Sequence, residues 1–306
     1  MRLGKLIEIN WPKYFAFLIK RKFYYAVRNS WPIWFYVVNR EGRSAFESNK
    51  PRLNDIQKKI VEDWNKNGIA MTSLSELFGD EADLNHLQEY ARKIDESSLK
   101  VDKNKKTFLR FLFTLRPVMD FENPFATLAL NRKVLDIVNS YMGLNSTFRT
   151  MSLNITMPVG EAAPKDSQMW HRDPEDKVVC KMFLYLSDVD EDSGPFIYAT
   201  KTHHKGIFRR LFPTQPPAGS YPPEAVVKKS ISSEYLKVNT GKAGTIIFCE
   251  TTGLHKGGYA KSKERIMFTS MYSSKKSMHS ESFDISENLK DNLSKLDDVQ
   301  RFALQA

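Results

Sequence analysis

The period of the apolar pattern changes after Gly143, and this change constrains the fold more than any other feature of the chain. Upstream, apolar residues recur at the three- and four-residue spacing of amphipathic helices over 51–67, 84–94 and 124–141. Downstream, the pattern becomes that of strands, over 150–157, 178–186, 245–249 and 266–272. Helices followed by many short strands predict a mainly β fold with flanking helices. We expect a β-sandwich or jelly-roll core buttressed by N-terminal helices and a C-terminal helix over 283–306.

The 306 residues are enough for one large domain, and the chain contains no internal repeat or domain-scale linker. We divide it into a segment 1–50 and a domain 51–306, whose motifs fall within 150–275. Cys180 and Cys249 lie in apolar runs, which indicates buried thiols in a reducing compartment. The chain opens without the pattern of a secretory leader, so we expect a cytoplasmic protein.

The segment 1–50 is basic and rich in aromatic residues. It contains ten Lys/Arg against three Glu, so it holds +7 of the formal net charge of +10. Its charge-free runs are shorter than the roughly 18–20 apolar residues of a membrane-spanning helix. Rings flanked by cations suit the headgroup region of an anionic membrane, here the inner membrane face. The same aromatics could instead pack outside the sheet, and nucleic-acid binding by stacking is the least favoured interpretation.

The tetrapeptide Trp170-His171-Arg172-Asp173 carries the candidate chemistry. His171 and Asp173 are two residues apart, so on an extended backbone both side chains leave the same face. With His255 they form a set of two histidines and one carboxylate, which suits non-haem Fe(II) and leaves coordination positions open. Arg265 follows ten residues later and could clamp a carboxylate.

Three stretches together resemble the phytanoyl-CoA dioxygenase family of Fe(II)- and 2-oxoglutarate-dependent oxygenases. The first runs from Gln168 to Asp173, the second from Lys181 through Gly194-Pro195 to His203, and the third from Ala243 through His255 to Arg265. The resemblance implies a double-stranded β-helix, the jelly-roll or cupin-like fold. It also implies that 2-oxoglutarate and O₂ are cosubstrates.

Carried over by position, the resemblance assigns roles to individual residues. His171, Asp173 and His255 would hold the iron, and Arg265 would pair with the distal carboxylate of 2-oxoglutarate. Other residues are placed by their nearness to these motifs. The cosubstrate pocket would also include Gln168, Trp170 and Thr252. Met267 stands where some oxygenases have serine, so a second polar contact would come from Lys181 or Tyr185. Arg172 and His203 are candidates for the substrate side, although Thr200-Lys201-Thr202-His203 departs from the Pro-Gly-Ser-His of many relatives.

The expected activity is hydroxylation of a small molecule or of a lipid-linked sugar of the lipopolysaccharide type, with release of succinate and CO₂. No catalytic residue beyond the metal ligands is assigned. Desaturation and epimerisation stay open, whereas Asp173 disfavours halogenation because it fills the position that a halide would need. The alternative is an inactive β-helix scaffold docked on a membrane or polyanion by the basic segment.

Overall fold

The computed structural model describes residues 30–94, 108–114, 116–213, 221–278 and 281–306, together with positions 15, 16, 19, 22, 23 and 26. Residues 1–14 of the basic segment 1–50, and most of residues 17–29, therefore lie outside the described residues. So do the polar stretch 95–107 and residues 214–220.

The described chain is mainly antiparallel sheet. Its strands, in chain order, are β1 Ile69–Ser73, β2 Leu109–Phe111, β3 Val118–Met119, β4 Thr147–Thr156, β5 Val179–Tyr185, β6 Phe196–Ala199, β7 Leu236–Asn239, β8 Thr245–Glu250, β9 His255–Lys256, β10 Arg265–Ser273 and β11 Asp284–Ile285. The major sheet has the order β1-β8-β5-β10-β4-β2, and the minor sheet has the order β7-β6-β9. A parallel pair, β11-β3, stands apart. This arrangement confirms the predicted jelly-roll core.

Helices flank the major sheet, as predicted. They begin with a π-helix, Ile33–Val38, and continue with α1 Arg40–Ser48, α2 Asp55–Asn67, α3 Leu74–Phe78, α4 Leu84–Lys93, α5 Pro124–Ala129, α6 Arg132–Met142, α7 Glu224–Ser230, α8 Glu287–Asp291 and α9 Asp298–Leu304. The predicted helix 51–67 corresponds to α2. Asn54 and Gln57 form its capping box, and Gly68 ends it with a φ of 81° that suits glycine. Among the described residues, no helix is both long and apolar enough to cross a membrane.

Two predicted helices are interrupted. The pattern over 124–141 forms α5 and α6, because Asn131 accepts a hydrogen bond from the backbone N–H of Lys133 and starts a second helix. The pattern over 283–306 forms α8, a 3₁₀ turn and α9, and Asp297 caps α9 by accepting from Val299 and Gln300. Periodicity alone missed both breaks because the apolar face continues across them.

The two faces of the major sheet have different characters. The outer face, including Leu153, Leu184 and Phe268, joins the large core formed with the helices. On the inner face, Phe183 and Tyr185 pack against the minor sheet. Along β4, however, every second residue is polar. The polar residues are Thr150, Ser152, Asn154 and Thr156. Since alternate residues of a strand share a face, the inner side of β4 presents a polar stripe to the interior of the roll.

Candidate metal centre

Backbone pairing brings the three predicted ligands together. His171 pairs with His255 in an antiparallel bridge, with N–O distances of 2.9 and 3.0 Å between the two residues. Two residues further, the N–H of Asp173 donates to the carbonyl of Thr251 at 2.8 Å. His171 therefore extends the minor sheet beyond β9. The side chains of His171, Asp173 and His255 meet at one end of the roll.

The ligand atoms converge on a single point. Oδ1 of Asp173 lies 3.8 Å from Nε2 of His171 and 3.9 Å from Nε2 of His255. All three ligand atoms lie within 4.8 Å of one another. This is a donor set of two imidazoles and one carboxylate, and the spacing leaves room for an ion between them.

Hydrogen bonds on the far side of each ring set the orientation of the histidines. Nδ1 of His171 lies 2.9 Å from the carbonyl of Met169, and Nδ1 of His255 lies 2.9 Å from the carbonyl of Gly253. A carbonyl can only accept, so each Nδ1 carries the proton and each Nε2 keeps its lone pair toward the centre. Burial and the neighbouring His171 lower the pKa of His255 to about 3. At neutral pH, His255 is therefore in the neutral form that binds metal.

Asp173 is held by a lysine on the neighbouring strand. Nζ of Lys181, on β5, lies 2.6 Å from Oδ2 of Asp173, the oxygen other than the one near the histidines. Burial alone would raise the pKa of Asp173, but Lys181 and the two histidines outweigh it and hold that pKa well below its usual range. Lys181 in turn stays charged, since Asp173 outweighs the effect of burial and raises its pKa. The carboxylate is thus ionised, with one oxygen engaged and one turned to the histidines.

Arg265 lies on the inner face at the start of β10 and is only 3% exposed. Its Nη2 donates to Oγ1 of Thr156 at 3.1 Å. Its Nε and Nη1 are buried and have no hydrogen-bond partner among the described residues. Burial lowers the pKa of Arg265, while the nearby Tyr185 favours its charged form. A buried guanidinium with unsatisfied donors is costly, and a carboxylate would satisfy it.

The other residues predicted for the cosubstrate pocket bond the protein itself. The amide of Gln168 accepts from the N–H of Lys165 and donates to the carbonyl of Gly258. The indole of Trp170 donates to Glu224 at 2.6 Å. The hydroxyl of Thr252 donates to Glu250. Their contact with a cosubstrate stays a prediction.

The two predicted substrate residues also have protein partners. Arg172 donates to the backbone carbonyls of Thr202, Leu211, Phe212 and Thr252, so it holds the segment after β6 against the metal-binding end. Nε2 of His203 lies 3.0 Å from the carbonyl of Asn65. This hydrogen bond involves none of the three candidate metal ligands. Their contact with a substrate stays a prediction, while the structure shows a positioning role for Arg172.

The sequence interpretation missed several residues of the site. Thr156 binds Arg265, and Asn154 has a buried Oδ1 without a hydrogen-bond partner among the described residues. The polar alternation along β4 was the signal that could have indicated both. Tyr221 places its ring centroid 6.1 Å from that of His171 and is exposed, so it stands at the outer edge of the centre. No spacing rule links Tyr221 to the ligands, because β5 and β6 lie between Asp173 and Tyr221 in the chain.

Solved structures share this fold. The epimerase SnoN in complex with Fe³⁺, alpha ketoglutarate and nogalamycin RO matches with a TM-score of 0.52 and 13% identity, over 74% of this chain and 87% of that chain. EctD from S. alaskensis with 2-oxoglutarate and 5-hydroxyectoine matches with a TM-score of 0.52 and 18% identity, over 74% of this chain and 78% of that chain. At such identities the likeness establishes the fold. No protein-family model and no curated protein matches the sequence.

Proposed function

We propose that this protein is an Fe(II)- and 2-oxoglutarate-dependent oxygenase. The observation that carries the proposal is the pairing of two features in one roll. The ligand atoms of His171, Asp173 and His255 converge, and Arg265 presents unsatisfied donors from the inner face of the major sheet. SnoN and EctD, which share the fold, were solved with alpha ketoglutarate or 2-oxoglutarate, which supports the choice of cosubstrate.

The residues fit both absent groups. Two neutral imidazoles and a carboxylate engaged through one oxygen suit Fe(II), and they leave positions for a bidentate oxo acid and O₂. Arg265 suits the distal carboxylate of 2-oxoglutarate, because a guanidinium forms paired, charge-assisted hydrogen bonds with a carboxylate. When bound, these groups would supply oxidative decarboxylation, in which one oxygen atom of O₂ enters succinate and the other enters the substrate.

The chain's own groups hold the candidate ligands and Arg265 in their orientations. The carbonyls of Met169 and Gly253 keep the imidazoles turned inward. Lys181 keeps one oxygen of Asp173 occupied, so the other is the ligand. Thr156 holds the Arg265 guanidinium against β4. These contacts are made by the chain's own groups and hold the donor atoms in place, which limits the ordering cost of binding.

The finer assignments rest on the sequence. We propose membership of the phytanoyl-CoA dioxygenase family, on the three motif stretches, and hydroxylation of a small molecule or lipid-linked sugar. SnoN is an epimerase, so the shared fold does not by itself select hydroxylation. The polar stripe on β4 favours a substrate or cosubstrate with hydrogen-bonding groups over a purely apolar one.

An anaerobic titration tests the proposal. Metal-free protein is titrated with Fe(II), then with 2-oxoglutarate, and binding is followed by calorimetry and by the charge-transfer absorption of an oxo acid chelated to Fe(II). We expect stoichiometric Fe(II) and a 2-oxoglutarate signal that requires the metal. Failure to bind Fe(II) would support the alternative of an inactive scaffold.

A further inference from the structure

The aromatic-rich stretch around the π-helix Ile33–Val38 divides into two faces. Trp34 is buried, and its indole donates to Oδ1 of Asp176 at 2.8 Å. Trp31 stacks on Phe35 with ring centroids 5.3 Å apart. These three rings pack inward, as one of the sequence interpretations predicted. They anchor the stretch to the body of the protein.

The opposite face is apolar and exposed. Ile33, Tyr36 and Val37 point outward, and Val37 is 68% exposed. Upstream, Ile19 and Phe23 are helical and exposed as well, Phe23 at 70%. Their spacing of four residues places them on one side of a helix. Scattered exposed apolar residues are ordinary, but a run of them in one short stretch marks an interaction surface.

Cations accompany this apolar face. Lys22 and Arg40 are exposed, and the guanidinium of Arg43 lies 5.4 Å from the centre of the Tyr36 ring. They belong to the segment 1–50, which contains ten Lys/Arg and three Glu. Apolar residues flanked by cations fit the boundary between acyl chains and anionic headgroups, where each Lys or Arg adds electrostatic attraction.

The composition of the face selects among partners. Three of the five exposed residues, Ile19, Ile33 and Val37, are aliphatic and cannot stack on nucleic-acid bases, so base stacking would leave most of the face uncovered. A second copy of the chain would bring its own +7 segment against this one, and the two would repel each other. An anionic bilayer offers acyl chains to the aliphatic residues and negatively charged headgroups to the cations.

The π-helix stretch also contacts the segment after β6. Trp31 stacks on His204 with ring centroids 4.8 Å apart. His204 lies in the segment after β6, which Arg172 holds through the carbonyls of Thr202 and Leu211. We propose that Ile19, Phe23, Ile33, Tyr36 and Val37, with the flanking cations, form a docking surface for anionic phospholipid membranes. The π-helix part of this surface is joined to the segment after β6 by the stacking of Trp31 on His204.

Vesicle flotation of the full chain tests the docking surface. Phosphatidylcholine vesicles are compared with vesicles that also contain phosphatidylglycerol. The test variant replaces Ile19, Ile33 and Val37 by serine. The control variant replaces Val118, Ile207 and Val238 by serine, since these are aliphatic and exposed elsewhere. Thermal unfolding confirms that both variants fold.

We expect the parent chain and the control variant to float with the anionic vesicles and to be released by added salt. We expect the test variant to lose partitioning about tenfold or more. Equal partitioning of the test and control variants, equal binding to both kinds of vesicle, or no flotation of the parent chain would each overturn the proposal. Fe(II) binding is measured separately, so failure here leaves the metal centre untouched.

Discussion

The two oxygens of Asp173 have different partners, and this asymmetry organises the centre. Oδ1 faces the Nε2 atoms of both histidines, and Oδ2 is paired with Lys181. A carboxylate with a free second oxygen could rotate or chelate a metal through both oxygens. In the proposed centre, the lysine would restrict Asp173 to one ligand atom and so keep coordination positions open for other groups.

Replacement of Lys181 by methionine therefore weakens metal binding. We expect the affinity for Fe(II) to fall about tenfold to a hundredfold, the usual effect of losing a partner of a metal ligand. Anaerobic calorimetry measures it, with Lys242→Met as the control because Lys242 forms an exposed ion pair with Asp188. Parent-like Fe(II) affinity in Lys181→Met would show that Asp173 needs no such support.

Replacement of Arg265 tests the cosubstrate site separately from the metal. In Arg265→Met, the distal carboxylate of 2-oxoglutarate would lose a charge-assisted pair. We expect its dissociation constant to rise about tenfold to a hundredfold while Fe(II) affinity stays unchanged. Arg265→Lys should recover part of the loss, since it keeps the charge without the planar fork. An unchanged 2-oxoglutarate dissociation constant in both variants would place the carboxylate elsewhere.

At the scale of elements, Glu250 joins several parts of the fold at the end of β8. Its side chain is fully buried. It accepts hydrogen bonds from the hydroxyls of Tyr141 and Thr252, and it pairs with the ring and the backbone N–H of His204. The carboxylate thereby ties α6, the segment after β6 and the turn before β9 together. Next to it, Thr251 accepts from the backbone of Asp173, so this network supports the metal-binding end.

This network predicts an acid-sensitive contribution to stability. Burial would raise the pKa of Glu250, yet His204 and Thr252 outweigh it and hold that pKa at about 2, below its ordinary 4.5. The folded state therefore favours the carboxylate. Its contribution of about 3 kcal/mol is fully present above pH 4.5 and is lost as the pH falls toward 2.

Urea unfolding across this pH range, for the parent and for Glu250→Gln, measures the contribution. We expect Glu250→Gln to be less stable at neutral pH, by about 3–5 kcal/mol because it breaks a buried pair. We also expect its stability to fall less steeply than the parent's between pH 4.5 and 2. Identical slopes in the two proteins would contradict the pKa of Glu250.

At the scale of the whole molecule, the candidate metal centre joins the two sheets of the roll. His255 belongs to the minor sheet, and Lys181, the partner of Asp173, belongs to the major sheet. A ligand that binds only the folded chain stabilises it, by about 2.7 kcal/mol at a hundred times its dissociation constant. Metal binding should therefore stabilise the molecule as a unit.

Thermal unfolding with and without Fe(II), under anaerobic conditions, tests this coupling. We expect Fe(II) to raise the midpoint of the parent chain and of His203→Ala, whose histidine bonds Asn65 instead of the centre. The midpoint of His255→Ala should not respond to Fe(II). A response in His255→Ala equal to the parent's would mean that the metal binds outside the three predicted ligands.

Local patterns in the sequence were sufficient to predict the kinds of elements and to select three side chains that the structure brings together. The change of period after Gly143 predicted helices followed by a jelly roll, because side-chain spacing follows directly from backbone geometry. The spacing of His171 and Asp173 placed both on one face for the same reason. The helix breaks at Asn131 and before Asp297 were not predicted from the apolar period, because a capping residue changes the pattern over only one or two residues.

Contacts across the sheets were decided by the tertiary structure. The pairing of Lys181 with Asp173, the bond between Arg265 and Thr156, and the division of the aromatic stretch into buried and exposed faces depend on strand order and packing. The alternation of polar and apolar residues along a strand indicates which face of the sheet a residue occupies. It does not indicate which residue lies across from it. That neighbour depends on which distant strands pair and in which register, and local sequence does not encode this.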